Sequence, residues 1–314
     1  MATRKIYFNG FLTNTDSSIL KLSLQNGFKF EHMSGDETEK FISIIANIPP
    51  FEARVEITSY FPFLNMSEDK AYFISKSFDD TIESEKPELN LEINSLIVKF
   101  QEKYIYNYLI PTLSLLRLYK EGNISMPLSC FFFCVDDIPK PLIRMQTGMD
   151  YPHDSIFSLD DSEIKEAESF IQNIKLPFKE KSLQLAFENF DMSHGRYFAG
   201  IQFLLLMISM ESLFSPDDKG EFTYRISRNS AVLIGKDKDD SKSVFNAMKK
   251  FYGKRSTIMH SGNSSSITKE DVLRLREFTR RSIKEFYKTS LSKKNLMDEL
   301  DSTGFGEKPW LQKA

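Results

Sequence analysis

Arg255 and His260 stand with four residues between them in the segment Phe251–Gly262, which reads FYGKRSTIMHSG. An arginine fork binds phosphate through paired hydrogen bonds. An imidazole, which ordinarily titrates at about 6.5, moves protons near neutral pH. RNA cleavage by 2′-hydroxyl attack needs those two things: a base for the hydroxyl proton and a cation for the scissile phosphate. The plainer alternative is structural. Arg255 then pairs with a buried carboxylate, and His260 is a surface histidine at a helix end.

Either reading depends on a helix. Its start is expected near the N-cap pair Asp240–Ser241 and its end near Gly262. Val244, Phe245, Met248, Phe251, Tyr252, Ile258 and Met259 recur at three- and four-residue steps and form one apolar stripe. At about 100° per residue, Arg255 falls inside that stripe and His260 about 140° further round. A guanidinium there requires a counter-charge or a cleft. Ser256 lies one turn before His260, within reach of its ring. Gly253 lies on nearly the His260 face, where it leaves room at a cost of about 1 kcal/mol relative to alanine. Tyr252, Gly253 and Ser256 are therefore supporting candidates on the same helix.

Further helices are expected from a cap at Ser158 or Asp160 to about Ile174, and at 181–192, 196–214, 221–234 and 270–289, besides the one at 241–261. The 196–214 segment is apolar almost all round, which predicts a central buried helix. Glu211 on it needs a partner, and Arg225, Arg228 and Arg255 are the candidates. Arg274, Arg281 and Lys288 recur every seven residues on the last helix, beside Lys284. With Lys254 they are either an RNA-backbone track or a solvated face.

Three stretches, in order, resemble one family. The string YGKRSTIMHSG resembles the Arg-x4-6-His motif of the HEPN superfamily (higher eukaryotes and prokaryotes nucleotide-binding), in particular its ApeA-like branch. LQLAFENFDMSHGRYFAGIQFLLLMISMESLF resembles the helical hairpin of that branch, with Glu211 at its acidic position. RISRNSAVLIG resembles the next helix, with Arg228, Ala231 and Gly235 where the pattern has them. The resemblance covers residues 157–290. It implies an all-helical, homodimeric domain whose protomers bring their Arg255 and His260 face to face in a shared cleft. It also implies a metal-independent, cofactor-free endoribonuclease of the toxin or antiviral-defence kind, with catalytic Arg255 and His260. Its partners would be RNA, tRNA included, and a protein or phage-derived trigger. Two other readings stay open. One is a HEPN module that binds RNA, a nucleotide or a protein without turnover. The other is a structural dimerisation domain.

Composition bounds the rest. With 41% hydrophobic and 27% charged residues, the 314-residue chain has the make-up of a soluble globular protein of two domains. The net charge of −3 hides an asymmetry, because residues 236–294 hold 16 Lys/Arg and 7 Asp/Glu. A basic balance around Arg255 and His260 suits a polyanion or a solvated face. Two cysteines, Cys130 and Cys134 in CFFFC, fit a reducing compartment, and with His153 they make no zinc pattern. His32 and His194 have no partners at catalytic spacing. The N-terminal MATRKIYFNGF lacks an apolar signal core, and the apolar run Ile201–Met210 is too short to span a bilayer. A cytoplasmic protein without a metal site or membrane partner is expected.

The first half shows strand patterning at residues 6–12 and 20–31, with turns expected at Asn9-Gly10 and Asn26-Gly27. Glu37–Ile48 reads as a helix stopped by Pro49-Pro50, and Leu96–Tyr119 as a long helix broken at Pro111. Arg54–Ile57, Ala71–Ser75 and Leu128–Val135 read as strands. The expected class is α+β: a mixed α/β domain of sensing or structural role over 1–152, a helical domain over 157–290 and a tail over 291–314.

Overall fold

The computed structural model describes residues 3–49, 52–53, 64–65, 68–83, 91–135, 137–146, 155–195, 198–215 and 221–308. The strand expected at Arg54–Ile57, and His153, lie outside them. The chain forms two compact units, Met1–Ile174 and Lys175–Ala314. The first carries a sheet and the described second is helical, so the class is α+β.

Six strands make the antiparallel sheet of the first unit: β1 (Thr3–Thr13), β2 (Lys29–Ser34), β3 (Leu64–Asn65), β4 (Lys70–Glu83), β5 (Ser125–Val135) and β6 (Ile138–Gln146). Their order is β2-β4-β1-β5-β6, and β3 also pairs with β4. Side chains alternate across a strand. Ile6, Phe8, Tyr72, Ile74 and Phe131 therefore share one core, while Phe11, Phe73, Leu128, Cys130 and Phe132 share another. Helix α1 (Gly35–Ala46) covers the second face with Phe41, Ile42 and Ile45. The first face is covered by α2 (Leu91–Phe100), the π-wound Gln101–Leu109 and α3 (Ile110–Tyr119), through Ile97, Phe100, Ile105, Leu109, Leu113 and Leu116. Cover on both faces is why CFFFC is apolar at every position.

Several expectations for this unit change. Asn9-Gly10 is not a turn. β1 runs straight through it, and Gly10 lacks a Cβ because Met126 on β5 fills that space. Residues 17–21 form a 3-10 turn rather than part of a strand, whereas Asn26-Gly27 does turn, both with positive φ. Pro111 does not break the long helix. It lies where the π-wound stretch passes into α3, and the helical run continues through it with one backbone donor fewer. β6 carries Pro139 and Pro141 and escaped notice for that reason. It lies at the sheet edge, where a residue without an N–H costs no ladder bond.

The helix expected from a cap at Ser158 or Asp160 starts only at Ile164, as α4 (Ile164–Asn173). The residues before it run against the sheet unit. Phe157 N–H donates to the Asn14 carbonyl at 2.8 Å, and Leu159 N–H to Ser18 Oγ at 2.9 Å. Gly122, at φ 149°, has Phe157 where its Cβ would be. Helix α4 then packs Ala167 into the first core. The sequence puts the join at 148–158, while the contacts divide the chain between Ile174 and Lys175.

The second unit contains α5 (Lys181–Met192), α6 (Ala199–Phe214), α7 (Phe222–Ile234), α8 (Lys238–Ser261), α9 (Lys269–Thr289) and α10 (Lys293–Ser302). Helix α6 packs against α5, α7, α8 and α9. Helix α8 is capped by Asp237, whose carboxylate accepts the amides of Asp239 and Asp240, three residues before the expected cap. Ser241 is instead buried against Gly235. Gly262 closes α8 at φ 69°, as its lack of a Cβ allows. Part of the expected tail forms α10, whose last carbonyls Leu300 and Thr303 accept from Arg228 at 2.7 and 2.8 Å. Among the described residues no helix is long and apolar enough to cross a membrane.

Candidate functional site

Arg255 meets Glu211 where α8 crosses α6. Nη2 donates to Oε2 at 3.3 Å, while Nε stands at ion-pair distance, 3.1 Å, from Oε1, a buried oxygen that accepts no hydrogen bond among the described residues. The side chains remain 30% and 23% exposed, which places the pair at a surface rather than in a core. Solvent weakens such a pair, so it orients the fork more than it stabilises the fold. Of the three arginines open to Glu211, Arg255 is the partner. Arg225 pairs with Asp301 at 3.2 Å, and Arg228 caps α10. Tyr252, one turn before Arg255, lies under the guanidinium with its ring centroid 5.8 Å from Cζ. Burial, and then the Glu211 carboxylate, push its hydroxyl pKa up.

His260 is exposed in the last turn of α8. Ser256 is half-buried one turn before it, and among the described residues no hydrogen bond joins the two. Gly253 faces open space: an added Cβ would meet nothing within 4 Å. The structure thus brings Arg255, Glu211 and Tyr252 into contact and leaves His260, Ser256 and Gly253 on the open side of the same helix.

The candidate RNA-backbone cations all have protein partners. Lys254 pairs with Asp271 and donates to the Ser266 carbonyl at 2.9 Å, tying α8 to the start of α9. Arg281 pairs with Asp240 at 2.9 Å and also donates to the Ile234 carbonyl. Arg274 donates to Ser243 Oγ at 3.1 Å and lies over the Phe278 ring. Lys288 pairs with Glu285 at 2.9 Å on the surface. Among the described residues no group of three His, Cys, Asp or Glu converges as metal ligands. His194 is buried, with Nδ1 3.0 Å from the Phe190 carbonyl.

Sequence reasoning missed one feature of the site. Helix α6 is apolar almost all round, yet it is not enclosed all round. Ile201 is 45% and Ile208 43% exposed, and Leu204 and Leu205 are half-buried between them. With Glu211 these positions fall within an arc of about 120°. Met259, assigned to the buried stripe of α8, is 58% exposed on the same helix as Arg255. An open apolar strip on α6 therefore ends at the Glu211–Arg255 pair. The signal available in the sequence was a helix apolar almost all round, which a small bundle cannot fully cover. No family model, curated protein or solved structure matches this chain.

Proposed function

We propose that the helical unit is an endoribonuclease of the HEPN kind, a toxin-like or antiphage effector of the cytoplasm that works as a homodimer. The observation that carries this reading is the state of Arg255. Glu211 holds the Nε–Nη2 edge of its fork, and among the described residues nothing takes the other amino group. A half-exposed, anchored guanidinium with free donors suits a phosphodiester. His260, exposed five residues on, takes the 2′-hydroxyl proton, and Arg255 balances the charge gathering on the phosphoryl oxygens. The products carry a 2′,3′-cyclic phosphate and a 5′-hydroxyl, and no step calls for a metal. The leaving oxygen needs a proton, and one Arg–His pair leaves that role open. A second copy seated on the strip Ile201–Ile208 supplies a second His260 beside the first.

A second reading is favoured by one observation: no hydrogen bond orients the His260 ring among the described residues. A module that grips RNA without turnover needs no such orientation. Incubation with total cellular RNA in EDTA separates the two. The nuclease cleaves, His260→Ala loses about 10²–10⁴-fold of the rate, and Arg255→Lys also fails because a point charge does not replace a planar fork. Salt-sensitive binding without cleavage selects the second reading. Absence of RNA binding removes both.

A further inference from the structure

We infer that Tyr252 is a positioning residue, which sets the orientation of the Arg255 fork by supporting its face. The inference rests on the reading of Arg255 as the phosphate-binding side chain. Arginine has a flexible stem, and a carboxylate has acceptor capacity enough to take both amino groups of a fork. Left to themselves, Glu211 and Arg255 could close on each other fully. One contact opposes this. The Tyr252 ring lies under the guanidinium at 5.8 Å, from the preceding turn of the same helix. Its hydroxyl lies near the Glu211 carboxylate, whose negative charge, after burial, helps raise the hydroxyl pKa. Glu211 accordingly contacts Arg255 through Nε and Nη2 only. Nη1 has no partner among the described residues, so a phosphate can bind it without first breaking the ion pair.

The test uses the full chain, with Tyr252→Leu and Tyr252→Phe made alone and on Arg255→Ala. The binding probe is a 2′-O-methyl oligouridine, which has no attacking hydroxyl, and cleavage of unmodified RNA is followed in parallel. The Arg255 Nε–H signal in nitrogen-edited NMR reports the order of the fork with no ligand present. Tyr252→Leu is expected to weaken binding about tenfold where Arg255 is present and to cost nothing further on Arg255→Ala. Its Arg255 Nε–H is expected to exchange rapidly with water while the melting temperature holds. Tyr252→Phe keeps the ring and should bind, cut and exchange as wild type does. Additive losses from Tyr252→Leu and Arg255→Ala, or an unchanged Nε–H signal, would overturn the inference. If Tyr252→Leu melts early, Tyr252→Met, which also removes the ring, decides through the same signal. If the wild type neither binds nor cuts RNA, the nuclease reading fails alone, and the Nε–H signal still decides the role of Tyr252.

Discussion

The central strand β1 and the central helix α6 are both rich in apolar residues, but they are covered differently. On β1, Ile6 and Phe8 face one core and Phe11 the other, all fully buried. On α6, Phe203, Leu206, Met207 and Met210 are fully buried, while Ile201 and Ile208 are open. A strand between two helical layers has both faces satisfied within its own unit. A helix presents its whole circumference, and the neighbours here leave one strip uncovered. The open strip lies beside the Arg255–Glu211 pair, so the region with uncovered apolar surface is also the one that carries the candidate site.

The largest test of that contrast is at the cores. Phe131→Ala, between the sheet and α2, should cost about 3–5 kcal/mol in denaturant unfolding, as buried phenylalanines do. Ile208→Ser should leave the stability of an isolated copy within about 0.5 kcal/mol, yet abolish the proposed pairing in sedimentation. A large loss of stability from Ile208→Ser would show that the strip is core, and the contrast would fall. Next comes Gly253→Ala, which has free space and should gain about 1 kcal/mol of helix stability. If another molecule closes over that face, the same variant binds or cuts RNA less well despite the gain.

The smallest effect concerns acid. Burial pushes the Asp271 carboxyl up, but hydrogen bonds from Lys254 and Thr268 outweigh it and hold its pKa below the ordinary 3.8. The unfolded chain therefore takes the proton first as pH falls. The contribution is present above about pH 4 and is lost as pH drops through the folded value. Melting curves between pH 6 and 3 should show a shallower acid decline for Asp271→Asn than for wild type.

Much of the fold was legible because its signals are local. The helices at 181–192, 221–234 and 270–289 follow from three- and four-residue apolar steps, and their ends fall within a residue of those expected. The start of α8 was misplaced because Asp237, Asp239 and Asp240 all make good caps, and only the backbone conformation chooses between them. The turn expected at Asn9-Gly10 failed for a different reason. Glycine serves both positive φ and close packing, and here Met126 decided for packing.

The same division holds at the candidate site. Sequence by itself determined that Arg255 and His260 share one helix, that Arg255 sits among apolar residues, and that Glu211 needs a cation. Helical periodicity and the cost of an unpaired charge fix those points without any neighbour. Only the tertiary structure decided that Glu211 takes Arg255 rather than Arg225 or Arg228, that Lys254 and Arg281 are tied to aspartates, and that Ile201, Ile208 and Met259 stay open. Partner choice and exposure depend on which helices cross, and at which residues. That is set by packing between segments far apart in the chain, which no local pattern encodes.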